Sequence, residues 1–510
     1  MKDVRQNVVF KTYAPSQPML LPPSLDELVP LGHPARVVNE VIEKISPEVL
    51  LRPYKGGGTS SYHPKMLLKI LVYGYLSNIY SSRKLEAATR ESVYLMWLCG
   101  MSYPDHNTIN RFRTERLKDV LKEVFTQVVM LLVESEHMDL KEVYTDGTKI
   151  EANANRYTFV WGKSIKNNKA RIAKQLEELW AYTQQVAKEE LEESMPDLTT
   201  IDSKKVSETI EKINTALKDK QIDKKKAKKL EYAQKEWPAK LDQYEQQEAI
   251  LKNRGSYSKT DPDATFMRMK DDPMAKGQLK AAYNLQISTN KQFITYYSIH
   301  QKPGDTITLI PHLEGFKKQY NRLPENVTAD AGYGSQENYT WLEENNVEAF
   351  VKYSSFQQEL RPDKIDDPGK VENLYYNKEQ DCFYCPMGQP MKKVNTFIKT
   401  TDNGFEQQYT SYQAKNCENC PLRGVCFKEE GNRIINVNHE LQRLKTKAKE
   451  LLLSPEGIKH RKQRPVDVEP VFGNIKQNKN FKRFLCRGIK NIETEIGLIA
   501  LAHNLAKKAA

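Results

Sequence analysis

The chain divides into stretches whose apolar residues recur every three or four positions and stretches where they recur every second one. From Pro64 the first pattern dominates: KMLLKILVYGYLSNI, SSRKLEAATRES and VYLMWLCGM predict three successive helices, with serines placed to cap the second. A shorter helix is expected over 33–46, after the turn-like LGHP. VYLMWLCGM, a Gly-containing turn, and a helix opened by Asp105 that carries Arg111, Arg113 and Arg116 fit a helix-turn-helix whose arginines meet DNA. An ordinary bundle with solvated arginines fits the same spacing equally well.

Strand character begins near 141, where KEVYTDGTKIEANA alternates and then turns polar. AAYNLQIST leads through the hairpin-like STNKQ into FITYYSIH. After a turn at KPGD come a helix over 306–320, the short run NVTADAGYG, a helix at SQENYTWLEENN and the strand VEAFVKY. Strands that first adjoin and then alternate with helices predict a mixed α/β sheet with helices packed on it.

Two segments interrupt that sheet. Residues 163–260 are rich in Lys, Glu and Gln, with Leu176, Leu179, Ile210, Ile213 and Leu217 at helical spacing. They predict two or three long helices, broken at MPD (195–197) and interrupted at Pro238. Such an insertion fits a contact with DNA or a second subunit, and a solvated spacer at least as well. Residues 354–440 hold five of the seven cysteines among turns and aromatic residues, and helix resumes over 440–453 and 466–508. The expected division is an all-α part (1–136), a sheet domain in three pieces (137–162, 261–353, 441–510) and the two insertions.

At 510 residues the chain exceeds a single core, and its +12 net charge favours an anionic partner such as nucleic acid, although merely soluble proteins share that balance. MKDVRQNVVFKTYAPSQPMLLPPS has no apolar core of signal-peptide length, and VVMLLV at 128–133 is far too short to span a bilayer. The expectation is a cytoplasmic protein with no membrane partner. In a reducing compartment clustered cysteines point to metal rather than disulfides. Cys417 and Cys420 form C-x-x-C, with Cys426 six further on and Cys385 upstream: four thiolates suited to one structural Zn²⁺. Cys382 also pairs with Cys385 in C-x-x-C and competes for a place. The turns CPMG and NCENCPLRGVC resemble those of a zinc ribbon.

Three acids carry the candidate chemistry. Asp146 in EVYTDGTKI and Asp330 in NVTADAGYG close short β-type runs and are followed by glycines that leave backbone room for a phosphate. Glu469 in VDVEPVFGNIK opens a basic helical stretch, with Lys476 seven residues on and expected on the same face. Alone, each has an ordinary reading as a turn or a solvated helix residue. Together, carboxylates from strand ends and a helix can hold Mg²⁺ against a phosphate. Lys476, Lys479, Lys482, Arg483 and Arg487 are spaced to follow a phosphate backbone.

With these residues in view, the chain resembles a bacterial insertion-sequence transposase of the DDE type. The resemblance rests on YHPKMLLKILVYGYL, PDHNTINRFR, TDGTKIEANANRYTFVWGKS, TADAGYGSQENY, VEPVFGNIK and LIALAHNLAK, which together span most of the chain outside the helical insertion. It implies a ribonuclease-H-like catalytic core, with Asp146, Asp330 and Glu469 as a triad binding two Mg²⁺ (or Mn²⁺) ions. It further implies double-stranded DNA as partner, namely element ends and target, and action as a homodimer. A related group places Tyr, two residues, Arg, three residues, Glu and, seven on, Lys. Glu469 and Lys476 fit, but Lys462 and Pro465 stand at the Tyr and Arg positions, with Arg464 one residue off and Arg461 nearby. The rival reading is a non-catalytic DNA-binding regulator that keeps the fold.

Overall fold

A computed structural model describes residues 24–54, 61–187, 195–198, 200–269, 278–361 and 369–510. The helical periodicity of the first part produces α1 (Leu25–Leu28), α2 (Pro34–Lys44), α3 (Pro47–Leu51), α4 (Pro64–Leu76), α5 (Ser82–Glu91), α6 (Val93–Leu98), α7 (His106–Arg111) and α8 (Leu121–Glu134). Asp105 caps α7, accepting from Thr108 N at 2.6 Å, and histidines cap the proline-led α2 and α4.

After α7 the chain enters a π-helical turn, Phe112–Arg116, that swings Arg113 inward. Its guanidinium is buried and donates to Tyr75 Oη, the Tyr80 carbonyl and Asn110 Oδ1 at 2.9–3.3 Å. The expected DNA contact by Arg113 is therefore corrected: this arginine ties helices together. Arg111 stays exposed, 3.6 Å from Glu115.

The alternating segments form a mixed sheet from β1 (Glu142–Glu151), β4 (Thr265–Arg268), β5 (Leu279–Asn290), β6 (Phe293–His300), β7 (Asn326–Ala329) and β8 (Glu348–Val351), while β2 (Phe159–Trp161) and β3 (Ser256–Ser258) pair separately. Spatial order is β6–β5–β1–β7–β8, with β4 on the outer edge of β5. β5 runs antiparallel to β1 and β6, whereas β7 and β8 run parallel to β1. The β5–β6 turn places Lys291 and Gln292 at φ 50° and 64°, the left-handed pair of a tight hairpin.

The helical insertion consists of α9 (Gly162–Val186), α10 (Ser203–Ala216) and α11 (Lys224–Leu251), which bury Leu176, Leu179, Ile210, Ile213, Leu217 and Trp237 in a core of their own. β2 and β3 clamp its two ends together. Pro238 does not interrupt α11, correcting the sequence expectation; the helix continues through it to Leu251.

α12 (Leu309–Tyr320) and α13 (Gln336–Glu344) flank β7, and α14 (Phe356–Glu359) follows β8. The cysteine-rich segment is more ordered than its turns suggested. β9 (Tyr375–Asn377), β10 (Cys382–Tyr384), β11 (Pro390–Thr400), β12 (Glu406–Ala414) and β13 (Ile434–Val437) build an antiparallel sheet in the order β13–β12–β11–β10–β9.

The chain closes with α15 (His439–Leu453), α16 (Pro455–Gly473), a π-helical Asn474–Asn478 and α17 (Ile489–Ala509). A single helix over 466–508 is thus replaced by two, with a break where Phe481 and Phe484 turn into the core and Gly488 adopts φ 80°. α17 packs on β6 and on α2, α4 and α8, so the N-terminal helices and the sheet share one continuous core. Among the described residues, no helix is long and apolar enough to cross a membrane.

Candidate metal centre at the strand ends

Pairing between β1 and β7 ends at Tyr144–Thr328, while β1 continues against β5 to Glu151, which also bridges Arg483. Asp146 therefore stands just beyond the parallel seam, and Asp330 directly follows β7. Each carboxylate is fixed by the backbone of a following glycine: Gly147 N donates to Asp146 Oδ1 and Gly332 N to Asp330 Oδ1, both at 2.8 Å. A β-carbon at Gly147 would press on Gln286 Nε2, Asp305 Oδ1 and Tyr333 Oη, so only glycine fits there without displacement.

A layer of buried polar groups lies beneath the pair. Tyr333 Oη donates to Gln286 Oε1, Gln286 Nε2 donates to Asn284 Oδ1 and to Asp305 Oδ1, and Asn284 Nδ2 donates to Asp305 Oδ1 at 2.8 Å. Asn338 holds the loop above by donating to the Tyr333 and Thr306 carbonyls, both at 2.7 Å. Asp305 thus stands as a third carboxylate beside the pair. Sequence reasoning passed over it because KPGD reads as a turn. Alternating Asn284 and Gln286 inside a buried strand was the signal that could have marked it.

α16 lies across the sheet over these residues. His460 Nδ1 meets Tyr144 Oη at 3.1 Å and Asp467 Oδ1 accepts from Gln292 N at 3.0 Å, which pins the helix on either side of Arg464. Arg464 Nη2 lies 3.0 Å from Asp146 Oδ2 and 3.7 Å from Asp330 Oδ2. Burial pushes the Asp146 carboxyl up to about 6, against the pull of Arg464, with Asp330 and Asp305 adding to the rise. Lys352, at the end of β8, is held below its ordinary range by burial and by the nearby charges of Arg464 and Arg461.

Among the described residues, Glu469 is not gathered with two other acids closely enough to hold a metal ion. It is exposed on α16, and five residues of regular helix turn it about 140° from Arg464. The buried side of that helix carries His460, Asp467, Val468 and Val471 instead. Nor does a regular seven-residue spacing connect Glu469 to Lys476, because the π-helical turn begins at Asn474. Lys479 is buried, donates to the Leu76 carbonyl at 3.1 Å and is lowered to about 8 by desolvation. The expected DNA contact by Lys479 is corrected accordingly, since it joins α4 to the C-terminal part. Lys482, Arg483 and Arg487 remain exposed on the same stretch.

Among the cysteines, Cys417 and Cys426 converge on Arg433, whose backbone N–H donates to Cys417 Sγ at 3.4 Å and whose Nη1 donates to Cys426 Sγ at 2.8 Å. Cys385 and Cys417 pack against the same small core, and Cys420 sits in the adjoining turn. Cys382 is buried on β10, with its thiol toward Gln380. Among the described residues, no three His, Cys, Asp or Glu side chains are gathered closely enough to enclose a metal ion.

Asp146 and Asp330 offer the oxygen donors that a hard divalent cation such as Mg²⁺ takes, without closing around one in this arrangement. Arg464 supplies the compensating positive charge, and its fit is imperfect: Nε is buried without a partner. No curated protein and no solved structure matches the chain. Two family models do: one described as a transposase domain over residues 23–115, the other as a transposase DDE domain over residues 384–509. The second includes Arg464, Glu469 and the cysteines Cys385, Cys417, Cys420 and Cys426; neither reaches Asp146 or Asp330. The N-terminal helices and the C-terminal part are thus each matched separately, both to transposase models, and the two matches support an insertion-sequence DDE transposase.

Proposed function

We propose that the chain cleaves DNA at the ends of its own insertion element and joins the resulting 3′-hydroxyl ends to target DNA. The observation that carries this reading is the placing of Asp146, where β1 leaves its parallel pairing with β7, near Asp330, which follows β7, with Arg464 of α16 reaching both. The strand order β6–β5–β1–β7–β8, with β5 alone antiparallel to its neighbours β1 and β6, supports a ribonuclease-H-like core.

Asp146 and Asp330 would hold divalent metal, two Mg²⁺ or Mn²⁺ ions, with Glu469 as the further ligand implied by the resemblance. Bound there, the metal supplies charge neutralisation at the scissile phosphate and lowers the pKa of the attacking hydroxyl. The protein's own part is positional. Gly147 and Gly332 orient the carboxylates, Gln286 and Tyr333 keep the floor of the site rigid, and Arg464 presents positive charge toward the phosphate side. Exposed Lys482, Arg483 and Arg487, with Arg111 from the N-terminal helices, extend a phosphate-tracking surface. Lys476 belongs to that stretch as well.

One structural Zn²⁺ in the cysteine-rich insertion belongs to the same reading, on the spacing of Cys385, Cys417, Cys420 and Cys426. A homodimer on paired ends, in the cytoplasm, completes the reading. The exposed position of Glu469 favours one rival, a DNA-binding relative without catalysis. Pre-cut element ends incubated with supercoiled target DNA and Mg²⁺ separate the two. Joined products are expected; binding without joining would establish the rival.

A further inference from the structure

Two carboxylates presented from neighbouring strands, Asp146 within β1 and Asp330 just after β7, repel one another, and Asp305 adds to that repulsion. Such a group needs positive charge before any metal arrives. α16 supplies it from a rigid base, because His460 and Asp467, about one turn to either side, are tied to Tyr144 and Gln292. The guanidinium of Arg464 is thereby aimed at the pair.

Its grip is nonetheless loose. One nitrogen serves both acids, at 3.0 Å to Asp146 and 3.7 Å to Asp330, rather than two nitrogens forming a fork. Nε is buried and unbonded. Arg461, whose Nε is also buried without a partner, and Lys352 lie on the same side and contribute like charge. An ion pair of such geometry in a desolvated place is held by charge more than by hydrogen bonds, and a second cation of higher charge can replace it.

We infer that Arg464 is an internal counter-ion that occupies the Asp146–Asp330 pair in the metal-free protein and competes with divalent cations for it. Entry of the cation requires the guanidinium to leave the pair. Released, it stays on the face shared with Arg461 and Lys352, where a phosphodiester is the anion that matches their charge. The inference rests on the metal-pair reading under Proposed function.

The test is a calorimetric Mn²⁺ titration, at pH 8 and without DNA, of full-length protein freed of metal by EDTA. Wild type, R464Q, R464K and D146N are compared. R464Q should bind Mn²⁺ at least about tenfold tighter than wild type, and R464K should fall between them. Equal or weaker binding by R464Q overturns the counter-ion while leaving the metal pair standing, provided D146N abolishes binding. If D146N binds as well as wild type, the metal-pair reading itself falls and the counter-ion falls with it. Should R464Q fail to fold by circular dichroism, R464K decides: tighter binding than wild type upholds the inference, and equal or weaker binding overturns it.

Discussion

Asp146 should weaken the fold it belongs to, and by an amount that depends on pH. Burial raises its carboxyl from an ordinary 3.8 to about 6, so the folded chain holds this proton more tightly than the unfolded chain does. The stability contributed by the protonated acid is complete below about pH 4 and is lost as pH rises through 6. That interval corresponds to about 3 kcal/mol. The side chain remains 21% exposed, so the measured figure should fall at or below that bound. The attraction of Arg464 is already included, because it opposes the rise. Asp146→Asn removes the charge at nearly constant volume. Urea unfolding in EDTA should therefore show the variant more stable than wild type by about 1–3 kcal/mol near pH 8, with the difference shrinking toward zero near pH 4. A difference that stays constant with pH, or grows as pH falls, would refute the desolvation argument.

Gly147→Ala adds a methyl against Gln286, Asp305 and Tyr333; urea unfolding should show a loss of about 1–3 kcal/mol, and an unchanged midpoint would mean the floor of the site is softer than described. Glu495 is buried and accepts the backbone N–H groups of Leu485 and Cys486 at 3.1 Å, so Glu495→Ala should cost at least about 2 kcal/mol by the same assay. For the cysteine-rich sheet, metal analysis of purified protein should find zinc lost from Cys417→Ser and Cys426→Ser and kept in Cys382→Ser. Zinc lost from Cys382→Ser would place that thiol among the ligands.

Much of the architecture was legible because its periodicities are strong. Leu176, Leu179, Ile210 and Ile213 marked the helical insertion by spacing alone, and STNKQ marked the β5–β6 hairpin. Local pattern failed where long-range packing decides. Nothing near Arg113 or Lys479 reveals that one meets Tyr75 and Tyr80 and the other Leu76, so both read as free cations. Pro238 lies within a helix whose neighbours bury Trp237 and Leu241, and that packing outweighs one lost hydrogen bond. At the site, Asp330 was legible from its glycines and strand end, whereas Asp146 proved to lie midway along β1 rather than at its close, and Asp305 was hidden in a turn signal. Arg464 was visible as a residue, but its place over the acid pair depends on how α16 crosses the sheet. Glu469 shows the converse: a motif singles it out, while the helix turns it toward solvent.

DNA cleavage by acid-pair variants tests the proposed activity most directly. Full-length protein, Mg²⁺ and a duplex carrying the element's terminal repeat should give metal-dependent nicks at the repeat boundary. Asp146→Asn and Asp330→Asn should each abolish nicking while retaining duplex binding by gel shift. Cleavage that persists in either variant at the wild-type rate would contradict a catalytic role for the pair.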